Sequence, residues 1–291
     1  MKSLRSFSVL LILSILLVAS AFAKDPANSS SNYLALGDSV PFGYLENVGY
    51  EYFYPQNFVS YADWTSLAVG LNLVNASCPG ETTGSFLSIV APDNGCKQYR
   101  RQAPLHVVYN SITATQFAFA TGYLRVNPST PLVTIMLGAN DLFLLEQQCN
   151  GDPTCIQHGA PQVFAQAEAN MAQILAGLRA TGYTGPIVIV NYYSLDYSDQ
   201  FVTALTEGLN QAITAPASQF GATVADVFTA FQQLASNPFA QGNTCVAGLL
   251  AAANPQTSPP SCDVHPSQLG HKAMAGVITA PLQAGQSKAG K

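Results

Sequence analysis

The sequence is poor in charged residues. Only 9% of its 291 residues are Asp, Glu, Lys or Arg, whereas a soluble domain usually has about 25%. The 11 Lys and Arg residues are spread along the chain, and the formal net charge is −5. Proteins that bind nucleic acid concentrate Lys and Arg on one face to neutralise phosphates. We therefore expect no nucleic-acid partner.

The sequence also lacks the spacing of a metal site. It has no C-x-x-C pair, and its four His residues are scattered. The spacing of Cys262 and His265 is the only suggestive one, and it has another explanation below. We expect no metal.

Low charge does not predict disorder here. Apolar residues make up 48% of the chain, and disorder requires low hydrophobicity together with high net charge. No internal repeat or long linker interrupts the sequence. We expect a single domain over residues 33–284 and a short tail over 285–291.

The first 23 residues resemble an export signal. Lys2 and Arg5 precede an apolar run from Val9 to Val18, and Ala21-Phe22-Ala23 matches an A-x-A cleavage site. The run is short for a membrane span, and a polar linker, residues 24–32, follows at once. We expect a cleaved signal peptide and a secreted protein, periplasmic or extracellular, without stable membrane insertion.

Six cysteines remain after that cleavage. An even number in an exported protein favours disulfides, and many pairings are possible. The order along the chain suggests three local bridges: Cys78–Cys96, Cys149–Cys155 and Cys245–Cys262.

Short apolar segments alternate with amphipathic ones. The pattern predicts strands over 33–36, 71–75, 132–137, 187–190 and 223–227. It predicts helices over 59–70, 161–180, 199–220 and 267–280, with Pro161 in the first turn of the second. Such alternation favours a parallel sheet covered on both faces.

Polar residues follow these strands, where open α/β sheets bind ligands. Ser39 follows the first strand, Gly80 comes soon after the second and Asn140 follows the third, while His265 lies near the C-terminus. A hydroxyl, a glycine amide, a carboxamide and an imidazole would then converge at one edge. These are the parts of a nucleophilic acyl-transfer site.

The same residues resemble the ordered motifs of the SGNH, or GDSL, hydrolase superfamily. Gly37-Asp38-Ser39 with Gly43, then Gly80, then Gly138-x-Asn140-Asp141, then His265-Pro266 occur in that order. Gly-Asp-Ser alone would be a weak signal, but four ordered blocks between residues 37 and 271 are specific. The resemblance implies a flavodoxin-like three-layer α/β/α sandwich with a mainly parallel sheet. The G-x-S-x-G elbow of the α/β-hydrolases is absent around Ser39.

The resemblance also implies a role for each residue. Ser39 is similar in position to the nucleophile and His265 to the general base. The backbone N–H groups of Ser39 and Gly80 and the side-chain amide of Asn140 would form the oxyanion hole. A serine hydroxyl is a poor nucleophile until a base takes its proton. No metal or cofactor is needed.

The last block departs from the family pattern. The family usually has Asp three residues before the His, but here position 262 is Cys and the acid is Asp263. Two interpretations stay open. Either Asp263 orients the His265 imidazole through a tighter turn, or a backbone carbonyl holds His265 and Asp263 is structural. A Cys245–Cys262 bridge would pin the loop that carries His265.

Four further features have mainly structural interpretations. We expect Asp38 to stabilise its turn, Asp141 to fix the turn that presents Asn140, and His271 to pack or cap the final helix. The aromatic-rich stretch over residues 44–64 is either a loop packed on the core or a wall of the substrate site.

Three functions follow from the sequence. The first is a secreted carboxylic ester hydrolase of the esterase, lipase or lysophospholipase type, with an acyl-Ser39 intermediate and a small-molecule or lipid ester substrate. The second is an O-deacetylase of the same fold that acts on an acetylated polysaccharide. The third is a non-catalytic binding module on a degenerate scaffold, which only the shifted Asp263 supports. The acyl chain length, the alcohol and the oligomeric state stay open.

Overall fold

Five short, mostly apolar segments form a parallel sheet. They are β1 (Asn32–Gly37), β2 (Asn72–Asn75), β3 (Leu132–Met136), β4 (Ile187–Val190) and β5 (Thr223–Ala225). Their order across the sheet is β2-β1-β3-β4-β5, and every neighbouring pair is parallel. Every residue of β3 and β4 is buried, as expected for strands covered on both faces.

The computed structural model describes residues 31–45, 54–109, 111, 113–254 and 261–289. The predicted signal peptide, most of the predicted linker and residues 46–53 of the aromatic-rich stretch lie outside these ranges. Within them, no helix has the length and apolar character that a membrane span requires. β1 begins at Asn32, which pairs with Asn72 and was predicted as the last linker residue.

Helices cover both faces of the sheet, as predicted. Those of the first half are α1 (Ser39–Phe42), α2 (Tyr61–Val69), α3 (Thr83–Leu87), α4 (Cys96–Gln102) and α5 (Gln116–Val126). Those of the second half are α6 (Ala139–Gln148), α7 (Pro153–Ala180), α8 (Gln200–Thr214), α9 (Val227–Ala235) and α10 (Gln268–Ala289). Helices α2, α9 and α10 pack in one layer, and α3 and α5 to α8 pack in another. The three-layer α/β/α sandwich is confirmed.

The predicted start of α7 was wrong. The helix begins at Pro153, and Pro161 lies inside it. Asp152 caps it by accepting a hydrogen bond from the Cys155 N–H, and Pro153 suits its first turn. The added turns bury Ile156 and Ala160 against α6, and this packing outweighs the helix hydrogen bond that Pro161 removes.

Other observed boundaries of strands and helices also differ from the predicted ones. β5 ends at Ala225 because Asp226 caps α9. α8 ends at Thr214 and is followed by a 3₁₀ turn over Ser218–Phe220, and α10 continues to Ala289, into the predicted tail.

The segment around His265, predicted as a loop, is a strand. β6 (Leu250–Asn254) and β7 (Ser261–Pro266) form an antiparallel pair outside the main sheet. β6 shows no alternation of apolar and polar residues, whereas β7 alternates but buries its polar residues Asp263 and His265, which is the reverse of the usual strand pattern. Strand formation here depends on the partner segment, because β propensity is set largely by context.

The strand order opens a crevice beside β1. The chain passes from β1 outward to β2 and then returns to β3 on the other side of β1. In open α/β sheets, such a reversal separates the two connections and leaves a ligand crevice at the carboxyl ends of the strands. Ser39 follows β1 and Asn140 follows β3, so both lie at this crevice.

Candidate active site

Ser39 is the first residue of the short helix α1. β1 ends two residues earlier at Gly37, and the Asp38 side chain caps α1 by accepting a hydrogen bond from the Val40 N–H at 3.0 Å. A residue in this position has a backbone N–H without an intrahelical acceptor. The Ser39 N–H is therefore available to a ligand.

Asp38 is buried and held from a second side. The Tyr192 hydroxyl donates a hydrogen bond to its other carboxylate oxygen, and burial raises the pKa of Asp38 to about 6. Its two contacts agree with the predicted structural role in the turn before Ser39.

The backbone at Gly80 packs closely against the segment that precedes α4. Gly80 has a φ of +82°, and a Cβ there would lie 2.3 Å from the Asn94 carbonyl oxygen, so only glycine fits. The Asn94 N–H donates to the Gly80 carbonyl at 2.8 Å, and the Cys78–Cys96 disulfide joins the same two segments.

The Asn140 side chain is held in one orientation. Its Nδ2 donates to the Glu81 carbonyl at 3.0 Å, and its Oδ1 accepts from Asn94 Nδ2 at 2.9 Å. Gln147 Nε2 in turn donates to Asn94 Oδ1 at 2.9 Å. An amide nitrogen carries two N–H groups, so one Asn140 N–H remains for a ligand.

Asp263 contacts the His265 imidazole directly. Its Oδ1 lies 2.7 Å from His265 Nδ1 and also accepts the His265 backbone N–H at 3.2 Å. Both residues are largely buried. Because Nδ1 is held by the carboxylate, Nε2 is the ring nitrogen left to exchange a proton. Of the two interpretations left open, this contact agrees with the orienting carboxylate.

The hairpin carrying His265 is anchored at two points. The Cys245–Cys262 disulfide ties β7 to the segment before β6. The Tyr193 hydroxyl donates to the Val264 carbonyl at 2.7 Å, one residue before His265. The third disulfide, Cys149–Cys155, joins the end of α6 to the start of α7.

Sequence reasoning missed Tyr192 and Tyr193. Each contacts a neighbour of a predicted site residue: Tyr192 holds Asp38, and Tyr193 holds the strand of His265. Both lie within three residues of the end of β4, so applying the strand-end criterion to the fourth strand would have found them.

Two further predicted residues have structural contacts. Asp141 accepts hydrogen bonds from the Thr83 N–H at 2.9 Å and the Thr83 hydroxyl at 2.6 Å, so it joins the start of α6 to α3. His271 is buried in α10 and accepts the Tyr61 N–H at 3.1 Å on Nδ1.

The predicted site residues meet in one cavity of about 490 Å³. Ser39, Gly80, Asn140 and His265 all line it, while Asp263 lies behind His265. A hydroxyl, an imidazole with its carboxylate, the Gly80 backbone and the Asn140 amide are therefore gathered at the crevice beside β1.

A cluster of possible metal ligands lies beside this cavity. The side-chain ligand atoms of Cys78, Glu81 and Cys96 lie within 4.8 Å of one another. The two sulfur atoms are bonded to each other, so this cluster provides no thiolate for a metal.

Residues 35–273 match the GDSL-like lipase/acylhydrolase family. The chain belongs to this family. The matched range contains Ser39, Gly80, Asn140, Asp263 and His265, which are the residues that the fold gathers around the cavity. No curated protein matches the sequence significantly.

Solved structures share the GDSL-type fold at low identity. Phospholipase A1 from Streptomyces albidoflavus aligns with a TM-score of 0.54 and 16% identity, covering 86% of this chain and 98% of that one. LAE5, an α/β hydrolase from the metagenome of Lake Arreo, Spain, gives 0.51 and 15%, with 86% and 94% covered. A variant of Axe2, an acetyl xylan esterase from Geobacillus stearothermophilus, gives 0.50 and 14%, with 86% and 93% covered.

Glu81 is a buried carboxyl group next to Gly80. The Ser85 hydroxyl and Gln116 Nε2 donate to its two oxygens. Burial is the main influence on its pKa and raises it from 4.5 to about 7. The folded protein therefore binds a proton between these pH values that the unfolded chain does not bind.

We predict that Glu81 makes the protein less stable as the pH rises. The stabilisation is fully present below pH 4.5, where both states are protonated, and is lost as the pH rises through about 7. Glu81→Gln should remove this dependence. Denaturant unfolding from pH 4.5 to 8 should show wild-type stability falling by roughly 3 kcal/mol relative to the variant. A constant difference would contradict the raised pKa.

Proposed function

We propose that the protein is a secreted serine hydrolase that cleaves carboxylic esters through an acyl-Ser39 intermediate. The observation that carries this proposal is the joint presence of Ser39, His265 and Asn140 in one cavity, with Asp263 bound to His265 Nδ1 at 2.7 Å. A hydroxyl nucleophile, a base oriented by a carboxylate and preorganised N–H donors are the groups that acyl transfer requires.

The first half of the reaction acylates Ser39. His265 Nε2 takes the hydroxyl proton as Ser39 Oγ attacks the ester carbonyl carbon. The negative charge that develops on the carbonyl oxygen is stabilised by the backbone N–H groups of Ser39 and Gly80 and by the remaining Asn140 N–H. When the tetrahedral intermediate collapses, the C–O bond to the alcohol breaks and His265 returns the proton to the leaving oxygen.

The second half releases the acid. A water molecule attacks the acyl carbon while His265 Nε2 takes its proton. Collapse of the second intermediate breaks the bond to Ser39 Oγ, which recovers the proton from His265. The same donors stabilise both intermediates, and the overall reaction is the hydrolysis of an ester to an acid and an alcohol.

The contact between Asp263 and His265 also bears on the non-catalytic alternative. The shifted position of this acid was the only feature that favoured a degenerate scaffold. The 2.7 Å distance between Asp263 Oδ1 and His265 Nδ1 meets the requirement for an orienting carboxylate. The contact therefore supports the catalytic proposal over the non-catalytic module.

Secretion is part of the proposal. The six cysteines form three disulfides, and such bonds persist mainly in oxidising compartments. Together with the export signal expected from residues 1–23, this supports function outside the cytoplasm.

Covalent trapping tests the proposed nucleophile. We expect an organophosphonate ester probe to add one adduct per folded molecule, and peptide mass spectrometry to locate it on Ser39. A competing ester should slow labelling, and denatured protein should not react, because activation depends on His265. An adduct on another residue, or no adduct on the folded, oxidised protein, would overturn the proposal.

A further inference from the structure

A second cavity of about 120 Å³ adjoins the first at Ser39. We call the larger cavity the polar groove and the smaller one the apolar pocket. The residues that line both are Ser39, Asn140, Phe143, Glu146, Val264 and His265. Because the shared wall contains the nucleophile and the base, the two sides of a bound ester would extend into different cavities.

The apolar pocket is built mainly by α8 and the ends of α1 and α6. Phe201, Val202, Leu205 and Leu209 line it from α8, and Val40 and Leu142 line it from the other side. Its volume leaves room for several methylene groups, since a single water occupies about 30 Å³. It is therefore larger than the methyl group of an acetyl ester requires, and its lining suits an aliphatic chain.

The polar groove has a different chemistry. Gln98 and Gln102 lie four residues apart on α4, so they share one face of the helix, and both line the groove. Within the described part of the chain, neither side-chain amide has a protein partner. Each amide can donate and accept hydrogen bonds. The rings of Tyr44 and Tyr99 add apolar surface beside them.

The groove offers little to an anionic ligand. Among the described residues that line it, there is no Lys or Arg, and Glu146 is the one acidic residue. A phosphate group would meet no cationic partner there and would lie in the field of a carboxylate. Amide groups and aromatic rings without cations instead match a neutral alcohol with several hydroxyl groups.

We propose that the substrate is an ester of a medium-length aliphatic acid, about four to eight carbons, with a neutral, hydroxyl-rich alcohol such as a sugar or polyol. The acyl chain occupies the apolar pocket and the alcohol occupies the polar groove. This inference rests on the ester hydrolase function proposed above. Phospholipids and acetylated polysaccharides are the alternatives that the test must exclude.

A p-nitrophenyl ester series from acetate to dodecanoate tests the acyl side. Each buried methylene should raise kcat/KM by up to about fourfold until the pocket is full, so we expect a maximum between butanoate and octanoate. Leu205→Trp should move the maximum toward acetate by filling the pocket, and Leu205→Phe should produce a smaller shift. Leu205 is only partly buried, so both variants should fold.

Hexanoyl esters of three alcohols test the alcohol side of the substrate. We expect kcat/KM to be at least about tenfold higher for a glucose ester than for ethyl hexanoate or hexanoyl-glycerophosphocholine. A tenfold ratio is the effect expected when two hydrogen bonds to the alcohol each contribute their usual net free energy. The double variant Gln98→Ala/Gln102→Ala should lower the ratio of glucose ester to ethyl ester activity by about tenfold. Gln232→Ala, an exposed change on α9 away from both cavities, is the matched control.

The outcomes separate this inference from the proposed function. If no ester in either series is hydrolysed, the ester hydrolase proposal fails. If p-nitrophenyl esters are hydrolysed but acetate is the best, as an O-deacetylase would require, the acyl assignment is overturned. If the glycerophosphocholine ester is best, or the three alcohols are equivalent, the alcohol assignment is overturned while the hydrolase remains.

Discussion

Ser39→Ala should reduce kcat/KM for p-nitrophenyl hexanoate by roughly 10³- to 10⁶-fold while the protein stays folded. The hydroxyl oxygen of Ser39 is the atom that would form the acyl bond, and alanine offers no replacement. The oxyanion donors remain in the variant, because the contribution of residue 39 to the hole is its backbone N–H. Ser39 is partly exposed, so the melting temperature should change little.

Ser77→Ala is the matched control for this substitution. Ser77 follows β2 near Gly80, is fully buried and is hydrogen-bonded to the Asn75 side chain, so no ester can reach it. We expect its removal to lower stability by about 1 kcal/mol and to leave measurable hydrolysis. If Ser39→Ala keeps wild-type activity, or if only Ser77→Ala loses it, Ser39 is not the nucleophile.

Asp263→Asn should lower kcat by about 10²- to 10⁴-fold with a much smaller change in KM. Asp263 Oδ1 accepts the Nδ1 proton of His265, which leaves Nε2 unprotonated and able to take the proton from Ser39. An asparagine can turn its N–H toward Nδ1 and stabilise the opposite tautomer, whose Nε2 carries a proton. The acid also stabilises the imidazolium that forms during acylation.

A fall in kcat without a fall in the melting temperature distinguishes this role of Asp263 from a structural one. Loss of a purely structural contact would lower the melting temperature and the fraction of active enzyme, which active-site titration with the organophosphonate probe would reveal. Asp152→Asn is the matched control, because Asp152 caps α7 away from the cavity and asparagine caps equally well. If Asp263→Asn keeps activity within about threefold, the structural interpretation of Asp263 stands.

The residues of the candidate site could be predicted because each one is identified by its immediate neighbours along the chain. Ser39, Gly80 and Asn140 each lie just beyond a predicted strand, and parallel strands bring their carboxyl ends to one edge. The order of the blocks then identified the family without any distance between them. His265 was found by its block alone, since the short alternation in its segment buries the polar residues and was not interpreted as a strand.

The positioning contacts could not be predicted in the same way. Tyr193 holds the Val264 carbonyl across 71 residues, and Asn94 holds Asn140 across 46. A tyrosine or an asparagine occurs in many settings, and nothing in its neighbourhood shows which distant backbone group it will meet. The extra turns of α7 were missed for a related reason, because contacts with α6 outweighed a local proline signal.

The sequence by itself determined the strand and helix alternation, the family and the residues that we propose carry acyl transfer. These depend on periodicity and on motif residues, which are properties of neighbours along the chain. Only the tertiary structure decided that Asp263 reaches His265 despite its shifted position, and that an apolar pocket and a polar groove meet at Ser39. Both depend on how α4, α6, α8 and the β6–β7 hairpin pack around one crevice, which short-range patterns in a single sequence do not specify.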